Sequence, residues 1–210
     1  MTSTSEMYPK LANFISRLNP SEIPAERQEK LEVLSDFIRV KLQKKEKVAM
    51  CFICTHNSRR SQFAQVWASA LSYYFGIPNI SSHSGGTEVT AVFPEVLRAL
   101  QHCGFRIETF KEGSNPVYHI SYSPNQPPVK AFSKVYDDAS NPQQDIAAIM
   151  TCSEAEKKCP LIPGASVRIA LPFEDPKAYD GSPVAAEKYA ATSRKIANEL
   201  LYVFSKIAQK

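Results

Sequence analysis

The passage from the apolar run Val48-Ala49-Met50-Cys51-Phe52-Ile53 into Cys54-Thr55-His56-Asn57-Ser58-Arg59-Arg60-Ser61 most constrains this chain. A helix-like stretch, Ser61 to Phe75, follows directly. A cysteine, five residues, an arginine and a hydroxyl therefore sit where a buried strand turns into a helix. Loop amides and the positive end of the following helix attract negative charge there. The same field favours a thiolate, the reactive form of cysteine. Arg60 can bind two oxygens at once with its planar fork. The pattern describes a pocket for a tetrahedral oxyanion, with Cys54 as the nucleophile. Thr55, His56, Asn57, Ser58, Arg59, Arg60 and Ser61 are the candidate oxyanion-binding residues.

From Val48 onward, short apolar runs alternate with helical stretches. The runs are Val48–Ile53, Asn79–Ser82, Asp145–Thr151 and Val167–Leu171; the helical stretches are Ser61–Phe75, Pro94–Cys103 and Pro183–Ile207. Continuous apolar strands separated by helices imply an α/β fold, doubly wound around a parallel sheet with helices on both faces. Ligands of such sheets sit at the carboxyl ends of strands. Cys54 ends the first run and Cys152 closes a later one, so both belong on that rim. Residues 112 to about 136 interrupt the alternation. Val117–Tyr122 and Val129–Tyr136 flank a Pro/Asn turn, which predicts a β-hairpin-like insertion. Residues 1–46 read as an N-terminal helical extension before a catalytic domain spanning 47–210. Within it, Pro24 to Lys45 carries Leu31, Leu34, Phe37, Ile38 and Leu42 on one helical stripe that must pack on something.

A net charge of +4, from 25 basic and 21 acidic residues in 210, is too mild to indicate nucleic acid as a partner. No apolar run reaches the length of a membrane span, and no signal-peptide pattern opens the chain, so the expected location is cytoplasmic. Five cysteines (Cys51, Cys54, Cys103, Cys152, Cys159) without a secretion signal argue against a structural disulfide framework. Cys51 and Cys103 read as core residues, with strand geometry sending Cys51 and Cys54 to different faces. Neither the cysteines nor His56, His83, His102 and His119 follow a metal-ligand spacing, and no cofactor is expected.

A thiolate that attacks phosphorus needs an acid to protonate the leaving oxygen. Asp175, in Glu174-Asp175-Pro176 after a strand-like run, is the candidate; Pro176 holds it extended. With this residue, the sequence resembles the low-molecular-weight protein tyrosine phosphatase superfamily over roughly residues 47–208. The resemblance rests on Cys54 to Ser61, on Ser84-Gly85-Gly86-Thr87 and on Asp175-Pro176. It implies a four-stranded parallel sheet, a cysteinyl-phosphate intermediate and an aspartate acting as acid and then base. Asn57 matches a loop-bracing asparagine, and Ser61 a hydroxyl that stabilises the thiolate.

Within that superfamily, Met150-Thr-Cys152-Ser-Glu-Ala-Glu-Lys-Lys-Cys159-Pro160 looks more like thioredoxin-coupled arsenate reductase. That resemblance implies that Cys54 attacks arsenate, that Cys152 attacks Cys54 as arsenite leaves, and that Cys159 then attacks Cys152. A thioredoxin-like reductant would reduce the resulting disulfide. The polar Ser153–Lys158 stretch reads as a short helix able to unwind for this exchange. The alternative is a phosphatase for phosphotyrosine or small aryl phosphates using Cys54, Arg60 and Asp175 alone. A third reading is a non-catalytic oxyanion-binding module, against which the complete Cys54/Arg60/Asp175 set argues. The chain departs from better-known reductases at His56 and Arg59. Gln65 also stands where some of them place a potassium-binding glutamate.

Overall fold

In the computed structural model, residues 6–158 and 161–208 are described. Four parallel strands form the central sheet: β1 (Val48–Cys54), β2 (Ile80–Gly86), β6 (Ile146–Met150) and β7 (Ala165–Ala170), in the order β2-β1-β6-β7. The first strand pairs in parallel with β2 on one side and β6 on the other. Being central and covered on both faces, it reads as a continuous apolar run, and all but Ala49 of its residues are buried. The expected α/β parallel architecture is the one observed.

Side chains alternate between two apolar layers of unequal size. Met50, Phe52, Ala147 and Ile149 face a large core built from α1 (Pro9–Ser16), α2 (Ala25–Gln43), α3 (Arg60–Tyr74), α4 (Pro94–Cys103) and α6 (Ala185–Ala208). Cys51, Ile53, Ala148 and Met150 face a smaller cluster with Cys54, Cys152, Ala155 and Ile162. The short α5 (Ser153–Lys158) contributes Ala155 to that second layer. Cys54 shares the cluster of Cys51, contrary to the expectation from strand alternation, because it is the last strand residue and the chain turns there. Burial pushes the Cys51 thiol up to about 12 and the Cys103 thiol up to about 11, so both are inert core groups.

The N-terminal helices share the large core. Leu31, Leu34 and Ile38 of α2 are fully buried, as are Leu11 and Ile15 of α1. The helix α1 was not foreseen from the sequence; its eight residues are too few to show a convincing helical period. Phe14 on α1 stacks on the buried Trp67 of α3, whose other side meets Phe105 edge-on. Arg27 of α2 donates through Nε (3.0 Å) and Nη2 (2.8 Å) to one oxygen of the buried Glu199 on α6. This ion pair fixes the register of the extension against the last helix.

The insertion is larger than the hairpin expected from the alternation. The strands β4 (Val117–Ser121) and β5 (Val129–Ala131) do pair antiparallel, and β3 (Arg106–Lys111) adds a third strand. The side chains of β3 are mostly exposed, so its apolar pattern is weak and the sequence gives little sign of it. After β5 the chain returns to the central sheet, where Val135 bridges Gly86 at the end of β2. No described helix is long and apolar enough to cross a membrane.

His83, on the edge strand β2, is held neutral. Burial, and then the nearby Lys134 charge, pushes its pKa down to about 4 from an ordinary value near 6.5. The unfolded chain takes up a proton below pH 6.5 that the folded chain refuses until about pH 4. Stability from this site is therefore lost as pH falls through that window, by about 2 kcal/mol after allowing for partial exposure. His83→Gln should flatten the pH dependence of urea midpoints between pH 7 and 4.5. An unchanged slope would show that other groups set the acid limb.

Candidate active site

The turn from β1 into α3 is built from residues with distinct local reasons for their places. Asn57 has a left-handed φ of 47°, which asparagine tolerates better than most side chains. Its Nδ2 donates to Ser61 Oγ at 2.8 Å, and its Oδ1 accepts from the Lys134 amide at 3.0 Å. Because Ser61 Oγ accepts from Asn57, its own hydroxyl hydrogen is free to point at Cys54 Sγ, 3.1 Å away. A hydroxyl donated to sulfur stabilises negative charge on it. Gln62 ties the loop from below, with Nε2 donating to the carbonyls of Asn57 and Phe132 at 2.9 Å each.

Among the described residues, the backbone amides of residues 56–60 donate to no protein acceptor. Successive amides without protein acceptors are donors available to an anion, and α3 adds its positive end. The glycines beneath explain the Gly85-Gly86 pair. A Cβ on Gly86 would lie 2.7 Å from the Thr55 carbonyl oxygen and 2.8 Å from the Asn57 amide nitrogen; one on Gly85 would lie 2.3 Å from Tyr136 Cα. A side chain at Gly86 would displace the loop, and one at Gly85 would displace Tyr136.

The insertion's last segment reaches the same loop. Ser133 Oγ donates to the His56 carbonyl at 2.8 Å, and the Lys134 carbonyl accepts from the Gly86 amide at 2.8 Å. Residues 133–136 thus brace the loop from the far side. Sequence pattern alone gives no sign of this role, because the contacts are made by backbone groups and one serine.

Arg60 and Asp175 meet across the pocket. Arg60 Nη1 donates to the Phe173 carbonyl at 3.0 Å, Nη2 donates to Asp175 Oδ2 at 2.5 Å, and the buried Nε has no partner. An unpaired buried N–H beside bare amides is a donor waiting for an anion. Asp175 also accepts from the Lys177 amide at 3.1 Å, capping the turn Pro176–Tyr179. The pocket is about 640 Å³ and is lined by Thr55, His56, Arg60, Ser153, Phe173 and Asp175, among others. Phe173 is covered in turn by the Arg27 guanidinium, 4.9 Å from its ring centre. The N-terminal extension thereby supports the segment that holds Arg60.

The side chain of Arg59 is turned outward from this pocket and occupied. Nε donates to Tyr189 Oη and Nη2 to Asp180 Oδ2, both at 2.6 Å, while the guanidinium lies 4.1 Å over Phe93. Tyr189 Oη completes the triangle by donating to Asp180 Oδ1 at 2.6 Å. Arg59 therefore clamps the oxyanion loop to the segment that follows Asp175, and only its backbone faces the cradle. His56 is paired with Glu88 at 3.3 Å. The sequence marks both only as candidate oxyanion-binding residues; the partners Asp180 and Tyr189 are visible only in the structure.

Cys152 lies against the loop in the second apolar cluster, 1% exposed. Its Sγ is 3.5 Å from Thr55 Oγ1 and accepts from the Ala155 amide at 3.3 Å. Thr151, just before it, donates through N (2.7 Å) and Oγ1 (2.9 Å) to the Ile53 carbonyl, which pins the strand end beside Cys54. Cys159 lies outside the described residues.

No protein-family model matches the chain. Its sequence is 28% identical over 131 residues to a curated protein named arsenate reductase 2 from Staphylococcus epidermidis. That match spans 62% of this chain and 80% of the relative. An arsenate reductase 2 from Staphylococcus haemolyticus is 27% identical over the same span. Among solved structures, a low-molecular-weight phosphotyrosine phosphatase from Vibrio cholerae superposes with a TM-score of 0.50 at 15% identity. It covers 75% of this chain and 94% of that one, which shows a shared fold. An arsenate reductase in its oxidized state gives a TM-score of 0.49 at 18% identity, covering 76% of this chain and 98% of that one.

Proposed function

We infer that this chain, which carries the fold of the low-molecular-weight protein tyrosine phosphatase superfamily, is an arsenate reductase-like thiol enzyme. The observation that carries the reading is the second thiol. Cys152 is packed in the same apolar cluster as Cys54 and lies 3.5 Å from the side chain of Thr55, the loop residue next to Cys54. A hydrolase of phosphate esters has no use for a thiol there; a reductase requires one. The similarity to proteins named arsenate reductase supports the same choice.

The reaction proceeds in balanced steps. Arsenate enters the cradle of amides and Arg60, which exchanges its contact with Asp175 for the anion. The Cys54 thiolate forms a sulfur–arsenic bond, and one arsenate oxygen leaves as water after taking a proton from Asp175. The Cys152 thiolate then attacks Cys54 Sγ. The sulfur–arsenic bond breaks with its electron pair going to arsenic, so arsenic(V) is reduced to arsenite and a Cys54–Cys152 disulfide forms. Cys159 attacks Cys152 and releases Cys54 as thiolate. A thioredoxin-like dithiol reduces the Cys152–Cys159 bond. Two electrons enter arsenic and two thiols are oxidised per turn. Cys152 must move toward Cys54, and the six-residue α5 is the segment that unwinds to permit it.

A second reading, hydrolysis of phosphotyrosine or a small aryl phosphate, is favoured by one observation. Asp175 is held on Arg60 at the mouth of the pocket, where an acid would meet a leaving oxygen. Purified protein assayed with arsenate plus thioredoxin and thioredoxin reductase, and in parallel with an aryl phosphate, separates the two. Thioredoxin-dependent arsenite formation supports the reductase; ester hydrolysis without it leaves the phosphatase alone.

Asp175→Asn should lower turnover of an aryl phosphate with a poor leaving group by about 10²- to 10⁴-fold, with little change in KM. An activated ester that needs no protonation should lose much less in its first step. Equal losses with both leaving groups would remove Asp175 from the role of acid.

A further inference from the structure

Behind the insertion lies a second polar cavity, of about 450 Å³, between the edge of β2, α3 and residues 127–141. It is separate from the pocket of Arg60 and Asp175 and shares no lining residue with it. Its charge is one-sided. Lys130 and Lys134 line it together with the neutral His83, and no acidic residue stands among the described residues that do.

Lys134 is 4% exposed, an uncommon place for an ammonium group. Among the described residues its Nζ has no hydrogen-bonded or ion-paired acceptor; it lies 4.3 Å from the centre of the Phe132 ring. The Lys130 ammonium lies 5.5 Å from that same ring. The two like charges share one aromatic ring; the Asp138 carboxylate attracts both without hydrogen bonding to either, and the ring quadrupole compensates only part of the desolvation. Burial is accordingly the leading cause that pushes the Lys134 pKa down to about 8, with Lys130 adding to it.

The uncharged lining is also unsatisfied. Ser82 Oγ, Gln65 Oε1 and Asn141 Oδ1 are buried without partners. Buried polar atoms are nearly always paired, so three in one cavity beside an unpaired ammonium describe a site awaiting a polar guest. A membrane or a nucleic acid cannot enter a cavity of this size; a small ion can.

We propose that this cavity is a binding site for a small oxyanion that retains a proton, of the hydrogen phosphate type. The two ammonium groups and the Ser82 hydroxyl donate to its oxygens. Its own hydroxyl donates to the amide oxygen of Gln65 or Asn141, which an oxyanion without a proton cannot satisfy. The site connects to the nucleophile loop through Phe132, whose carbonyl accepts from Gln62, and most directly through Lys134. The Lys134 backbone amide holds Asn57 Oδ1, and Asn57 holds Ser61. An anion on the Lys134 side chain would therefore pin the segment that braces the nucleophile loop.

The test is calorimetric titration with inorganic phosphate of full-length protein carrying Arg60→Met, which disables the catalytic cradle. One remaining phosphate per chain is expected, with sulfate binding at least threefold more weakly. Adding Lys134→Met should abolish this binding. Adding Lys130→Met, at an exposed position that folding does not need, should weaken it at least threefold. Near-UV circular dichroism establishes that each variant is folded, and the Lys130 variant decides if the Lys134 variant is not. Absence of phosphate binding in the Arg60 variant, or binding unaffected by Lys130→Met, overturns the proposal. Sulfate binding as tightly as phosphate would equally overturn the assignment of a protonated guest.

Discussion

Replacing Cys54 by serine is expected to abolish arsenate reduction and phosphate-ester hydrolysis together, each by at least about 10⁴-fold. The Ser61 hydroxyl lies 3.1 Å from Cys54 Sγ, and in the proposed mechanism it and the start of α3 favour attack by sulfur. A serine hydroxyl in the same place remains protonated, so binding survives while attack does not. Phosphate affinity should change by no more than about threefold, because the amides and Arg60 are untouched. The variant should also fold, since a serine oxygen can hydrogen-bond Ser61 where Cys54 Sγ lies 3.1 Å from it. A melting curve within a few degrees of wild type checks this. Retained turnover with either substrate would remove Cys54 from the chemistry.

The second large effect belongs to Cys152. Cys152→Ser should lose thioredoxin-dependent arsenate turnover by at least about 10³-fold while keeping aryl phosphate hydrolysis within about threefold. Serine preserves the local structure, because its oxygen can still accept from the Ala155 amide and meet Thr55. What it cannot do is form a bond to Cys54 Sγ and take the electron pair's place as arsenite leaves. A parallel loss of both activities would mean that Cys152 only holds the loop in shape. Steady-state assays of the two substrates on one preparation give the ratio directly.

Much of the fold could be read from the chain because the central strands are buried on both faces. Continuous apolar runs at 48–53 and 145–151 survive any change of register, and of the helices between them α4 keeps a clear period whereas α3 is buried almost all round. The helix Pro94–Cys103 was legible end to end, since Pro94 starts it and Gly104, at φ 110°, stops it. Where one face is wet the signal fades, as in β3, and α1 is too short to carry a period. At the site, the strand-to-helix turn marked Cys54, Asn57, Arg60 and Ser61 as candidates and Pro176 marked Asp175; the structure brings Ser61 to Cys54 and Arg60 to Asp175, whereas the direction of Cys54 departs from strand alternation. Arg59 was misleading for the opposite reason. Its partners Asp180 and Tyr189 lie more than a hundred residues away, and nothing local tells a clamped guanidinium from a free one. The bracing of the loop by Ser133 and Lys134 was invisible on the same ground.

The division of labour between loop and distant thiol is the centre of this account. In the proposed mechanism the loop performs the first step for either substrate, and Cys152 determines whether electrons or water complete the second. Its most direct test is a single turnover of Cys159→Ser with arsenate in the absence of reductant, followed by peptide mapping under non-reducing conditions. One arsenite per chain together with a Cys54–Cys152 disulfide is the expected result. Arsenite released without that disulfide, or a disulfide joining any other pair, would contradict it.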